Sequence, residues 1–472
     1  MMRVRVLAAT AAMALMSATG QAATPAAPDA SLPAFRDLYK ELVETNTEHS
    51  MGSCTLAAER MAARLKAAGF PEGDLRLFAP EGAPKDGGLV AVLHGSDPKA
   101  KAILLLAHID VVEAKREDWT RDPFAFIEEG GYFYARGVSD DKAQAAIFTD
   151  SLIRYRKENY HPRRSIKLAL TCGEEGGGGP NGAAWLAEHE RALIDAEFAL
   201  NEGAGGELDA DGKPVSHDVL AAEKTSQSYV LEVTNAGGHS SRPVPDNAIY
   251  HLVRAVDRIS RYEFPVQLDD ANRGYFTAMA GIVGGEKGAA MKAVVANPED
   301  KAAVALLDQD PSWHAMLRTT CVATRLDAGH AENALPQRAR ATINCRIFPG
   351  VSRESVRDQL GKLADDPAVA VLMPPGRGAS PPPPPLTPTV MKPVQTLSQK
   401  MWPGVPVVTL LQPGATDGTH LNAAGIPTYG ISGIFSDPDL GHIHGLNERV
   451  RVKSVYEGRE FLYQLVKIYA DH

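Results

Sequence analysis

Along most of the chain the apolar positions recur with one of two periods. Segments 32–44 and 53–68 place apolar residues every three to four positions, the spacing of an amphipathic helix, and Gly69 ends the second. Apolar runs of strand length follow at 88–93 and 102–107. Then come a helical pattern at 139–155, a strand at 165–171, a helix at 181–193 and a short strand at 197–200. Alternation of this kind predicts an α/β domain, a mostly parallel sheet with helices on both faces.

The period changes beyond residue 224. Segment 228–234 alternates apolar and polar residues, the mark of a strand with one wet face. A helix at 247–259, strands at 321–325 and 339–348, and a helix at 352–363 complete a small α+β pattern. A Pro/Gly-rich stretch, 374–388, contains five consecutive prolines and predicts an extended connector. After it, 407–411 and 428–431 again read as buried strands. The expected organisation is therefore one domain made of 33–223 and 389–472, with 224–373 inserted and 374–388 joining them.

Composition narrows the function. A length of 472 residues is too long for one compact domain. With 49 basic and 58 acidic residues the net charge is -9, which leaves no basic footprint for nucleic acid. At the start, Arg3 and Arg5 precede an apolar run at 6–16, and Gly20-Gln21-Ala22 offers small residues for cleavage. Residues 1–22 are expected to be a signal peptide. No later run reaches the ~18 apolar residues of a membrane helix. The expectation is an exported protein, periplasmic or secreted, with no membrane attachment after processing. Of the four cysteines, Cys321 and Cys345 fall on two expected strands and could meet, but connectivity is not readable from spacing.

Five places put His or acidic side chains at strand ends or loops, where α/β folds build sites. His108-Ile109-Asp110 follows the second strand, and an Asp two residues beyond a His suits a ligand oriented by a carboxylate. Asp140 and Asp141 open a helical stretch; taken alone, they also fit a helix cap. Glu174 and Glu175 leave a buried strand and run into four glycines. Two adjacent like charges with no base nearby call for a cation. The same glycines match a dinucleotide fingerprint at Gly177, Gly179 and Gly182, but two carboxylates at the loop mouth would repel a pyrophosphate. Glu202 follows the next strand, and the run from His442 to Glu448 lies near the C-terminus. Mixed His and carboxylate ligands suit zinc, with Mn or Co as alternatives, and a shared carboxylate would let the set hold two ions.

His108-x-Asp110, Arg136-Gly137-x-x-Asp140-Asp141-Lys142, Gly173-Glu174-Glu175 and His444-x-x-Asn447-Glu448 occur in this order. Together they resemble the zinc peptidase family of glutamate carboxypeptidase, aminoacylase, carboxypeptidase S and succinyl-diaminopimelate desuccinylase, over nearly the whole chain from about residue 33. The resemblance implies a co-catalytic zinc exopeptidase fold with an inserted α+β lid that dimerises. It implies that His108, Asp140, Glu175, Glu202 and His444 bind two divalent metal ions per chain, with Asp140 as the bridge. It implies that Asp110 orients His108, that Glu174 is the general base, and that His239 serves the site across a homodimer interface. In the lid, Asn333 and Arg346 resemble the groups that hold a substrate carboxylate. Segment 264–320 is longer and more polar than the family's plain lid needs. The substrate implied is a small peptide or an N-acyl amino acid, cleaved by a carboxypeptidase, dipeptidase or amidohydrolase.

Two rival readings are weaker. A secreted binding protein with a dead site on the same fold would lack a ligand or the base, and none is missing. A serine hydrolase would need a Gly-x-Ser-x-Gly elbow, and the sequence has none.

Overall fold

The computed structural model describes residues 30–374 and 381–472. The expected signal peptide, 1–22, and residues 375–380 of the expected connector lie outside the described residues.

A ten-stranded sheet organises the molecule. At its centre Ile166–Thr171, Ile103–His108, Phe198–Asn201 and Thr428–Gly430 lie side by side and run parallel. Antiparallel strands Gly88–Leu93 and Leu75–Phe78 extend one side. Strand Ile103–His108 shows why this sheet needs helices on both faces. Ile103, Leu105 and Ala107 point into one core with helices Leu32–Glu44, Cys54–Ala67, Lys142–Lys157 and Val452–Asp471. Leu104 and Leu106 point into the other, against helices Gly182–His189 and Gly418–Ala423. The expected fold class is observed.

The chain leaves this sheet at Glu223 and returns to it at Val407. Between them, a four-stranded antiparallel sheet has the order Thr320–Ala328, Arg338–Ile347, Thr225–Thr234, Ala370–Leu372. Its alternation is one-sided, as the sequence suggests. Tyr229, Leu231 and Val233 are buried under helices Ala248–Ser260 and Arg353–Ala364, while the residues between them are part-exposed. Cys321 and Cys345 sit opposite one another in register and form a disulfide.

Several elements differ from expectation. The helix expected over 139–155 begins only at Lys142, because the amides of Ser139 and Asp140 donate to the Glu448 carboxylate instead of entering a first helical turn. The helix expected over 181–193 breaks at Glu190 into Gly182–His189 and Arg191–Ile194. Pro388 opens the helix Pro388–Met401 rather than ending the connector. The long polar segment contains four helices, Asp270–Val283, Gly285–Ala296, Lys301–Leu307 and Pro311–Leu317. These pack with Val408 of strand Val407–Gln412, so this part of the insertion leans on the large sheet and not on the small one.

Candidate active site

Three adjacent parallel strands aim their carboxyl ends at one place. His108 ends the middle strand, while Glu174 and Glu175 follow the strand on one side and Glu202 the strand on the other. Two loops complete the cluster. One carries Asp140 ahead of helix Lys142–Lys157, and the other carries His444.

Asp140 stands between the two imidazoles. Its Oδ1 is 3.1 Å from His108 Nε2, and its Oδ2 is 3.0 Å from His444 Nε2. His108 Nε2 also lies 3.8 Å from Glu202, and His444 Nε2 lies 3.0 Å from Glu175. Two of the groups of potential metal ligands, His108–Asp140–Glu202 and Asp140–Glu175–His444, share Asp140, and a third, His108–Glu174–Glu175, overlaps both. The cluster deepens towards His108, which has 1% of its side chain exposed, whereas His444 at the mouth has 54%. His442 lies 3.3 Å from Asp439 and joins neither group.

The protonation pattern shows what this cluster fits. His108 Nδ1 is 3.1 Å from the backbone oxygen of Asp110, which can only accept, so Nδ1 donates there. Nε2 then faces the Asp140 carboxylate, and the gap takes either a proton or a cation. Burial opposes charge on His108, yet Glu202 and the hydrogen bonds to Asp110 and Asp140 lift its proton affinity well above the ordinary value. Hydrogen bonds to Asp140 and Glu175 push His444 up to about 10. Burial, together with neighbouring acids, pushes Glu174 up to about 8 and also raises Glu202 and Asp141. Carboxylates crowded this closely, with no Lys or Arg among their hydrogen-bond partners in the described residues, form a donor set that fits divalent cations.

Asp110 does more than face His108. Its Oδ2 accepts from the Glu175 amide at 3.0 Å and so fixes the loop that carries both glutamates. A second disulfide, Cys54–Cys172, anchors the same loop to helix Cys54–Ala67. Sequence reading missed that pair, because 118 residues separate the cysteines and no pattern links them. It also passed over Glu448, whose carboxylate accepts from the amides of Gly137, Ser139 and Asp140 and pairs with Arg136. The only sequence signal was its place in the His444-x-x-Asn447-Glu448 run.

The remaining predicted residues belong to the segment between Glu223 and Val407 and do not join the cluster. His239 lies exposed on the two-stranded ladder Gly238–His239/Ala334–Leu335. Asn333 is next to it, its carbonyl accepting from the Ser240 amide. Arg346 sits on Arg338–Ile347, half-buried, and its side chain makes no hydrogen bond or ion pair among the described residues.

The fold and this cluster together define a hydrolase of peptide or amide bonds. Residues 104–468 match the model of Peptidase family M20/M25/M40, and the chain belongs to that family. It is similar to N-fatty-acyl-amino acid synthase/hydrolase PM20D1 of Homo sapiens, 28% identical over 79% of this chain and 75% of that protein. In fold it resembles an M20 family metallo-carboxypeptidase from Sulfolobus solfataricus, with TM-score 0.67, 19% identity and coverage of 94% of this chain and 99% of that one. It also resembles a dinuclear metal-binding M20 peptidase from Bacillus subtilis, with TM-score 0.60, 12% identity and coverage of 93% and 98%.

Proposed function

We propose that this protein cleaves the amide bond next to a free carboxylate, in a small peptide or an N-acyl amino acid, with two divalent ions bound. The observation that carries the proposal is Asp140, one carboxylate common to two ligand groups. His108 and Glu202 would complete one site, and Glu175 and His444 the other. When bound, zinc or a similar ion at such sites polarises a carbonyl and makes water acidic enough to react near neutral pH. Glu174 takes the proton of the attacking water and passes it to the leaving amine. It is the carboxylate of the cluster that the bridging assignment leaves unspent.

The lid supplies recognition. His239 Nδ1 accepts from the Ser241 amide at 3.1 Å, so the neutral ring carries its proton on Nε2, ready to donate to a developing oxyanion. Arg346, whose side chain has no hydrogen-bond or ion-pair partner among the described residues, and Asn333 suit a substrate carboxylate. An exposed edge strand, Thr320–Ala328, with Val322 and Leu326 about 60% exposed, supports pairing with a second copy of the chain. Export through residues 1–22 is part of the proposal, and two disulfides support an oxidising compartment.

The test is a panel of dipeptides, N-acyl amino acids and their C-terminal amides. Metal content is measured in parallel. Hydrolysis that requires both the free carboxylate and two ions per chain is expected. Equal turnover of the C-terminal amides would overturn the specificity, and full activity after complete metal removal would overturn the mechanism.

A further inference from the structure

The loop that carries Glu174 and Glu175 begins at Thr171 and ends at Asn181. Both ends are held by a residue that lies 246 positions beyond the first of them. Thr171 Oγ1 donates to Asp417 Oδ2 at 2.9 Å, and Asn181 Nδ2 donates to Asp417 Oδ1 at 2.6 Å. Asp417 is 1% exposed and has no Lys or Arg partner among the described residues. Asn181 in turn caps helix Gly182–His189 through the Ala184 amide, and the Gly182 amide closes the loop on the Cys172 carbonyl at 2.7 Å. Inside the loop, a side chain at Gly173 would come within 2.3 Å of the Pro180 carbonyl oxygen, so the two strands of the loop are in contact.

We infer that Asp417 is a positioning residue for Glu174, one buried carboxylate that sets the base by pinning both feet of its loop. This rests on the reading of Glu174 as the general base. A carboxylate buried this deeply is costly unless both oxygens stay hydrogen-bonded, so it holds the two feet of the loop together. Asp417 lies outside both metal-ligand groups, so its removal leaves the ligands intact.

The test uses the full-length, metal-loaded enzyme. Asp417→Ala is expected to lower kcat by ~10²-fold, the cost of a displacement of about 1 Å in a catalytic group. KM should stay within about threefold and two ions should remain bound. Asp417→Asn can keep both bonds, its oxygen accepting from Asn181 and its amide donating to the Thr171 oxygen, and should recover most of the lost rate. The double variant Glu174→Gln/Asp417→Ala should be no slower than Glu174→Gln alone, because Asp417 acts through Glu174. A structural defect would instead add to the loss. Asp417→Ala within about threefold of wild type in kcat, or a double variant slower by a further ~10²-fold, would overturn the inference. Should Asp417→Ala not fold, Thr171→Val and Asn181→Ala each cut one foot and are read by the same criteria. If Glu174→Gln is itself fully active, the base assignment fails and the inference fails with it. If that variant is inactive while Asp417→Ala is unimpaired, the inference alone fails.

Discussion

Arg136 and Glu448 meet at 2.8 Å with 3% and 1% of their side chains exposed, 312 residues apart in sequence. Their pairing sets the distance between Asp140 and His444. Glu448 binds the amides on either side of the Asp140 approach, while Arg136 donates to the Gly445 carbonyl at 3.0 Å in the His444 loop. Glu448→Ala leaves a buried guanidinium without its partner. Stability should fall by about 3–5 kcal/mol, measured by urea unfolding. Metal affinity should fall ~10–100-fold, the usual effect of losing a group that orients ligands.

Asp140→Ala removes the residue common to both ligand groups. Elemental analysis is expected to find both ions lost. Glu202→Gln, which alters one group only, should leave one ion. Loss of a single ion from Asp140→Ala would refute the bridging role.

Glu174→Gln keeps shape and metal and removes the base. Turnover should drop by at least ~10²-fold with two ions retained. A variant that loses an ion would show that Glu174 and Glu175 have exchanged roles.

His239→Ala should lower kcat by ~10²–10³-fold with little change in KM and unchanged metal content. Mixing it with Glu174→Gln tests the route across a dimer. A mixed dimer joins one intact cluster to an intact His239 from the other chain, so activity should return on subunit exchange. Exchange without recovery would place His239 in its own chain's site or outside catalysis.

A pH effect on stability should come from Asp218, which belongs to no ligand group. Burial, with the nearby charge of Glu207, pushes Asp218 up to about 7 from an ordinary value of 3.8. Between those values the folded chain binds a proton that the unfolded chain has released. That contribution is fully present below about pH 4 and is lost as pH rises through about 7. Asp218→Asn should therefore raise Tm at pH 8 and leave it nearly unchanged at pH 4. A pH-independent difference in Tm would count against this account.

The site was more legible than its supports. His108, Glu174 and Glu202 could be picked out because each follows an apolar run of strand length, and strand ends are where such folds place chemistry. Asp417 gave no such signal. It is a lone acid in a loop, and its meaning depends on Thr171 and Asn181, which only folding brings near. The helices at 270–317 were missed because small residues such as Ala280, Ala290 and Ala303 make up much of their buried faces, so the periodic signal is faint. Pro393 hid the helix Pro388–Met401 by looking like a breaker. The disulfide Cys321–Cys345 was visible as an option because both residues sit on strands, whereas nothing local announces Cys54–Cys172.

The cluster's contributors are spread from His108 to Glu448 in a chain of 472 residues. A nascent chain that has emerged as far as the small sheet has His108, Asp140, Glu175 and Glu202, but neither His444 nor the carboxylate that sets Asp140. Hydrolytic competence therefore arrives only once the chain has been made past Glu448. Until then the growing polypeptide carries only an unfinished cavity.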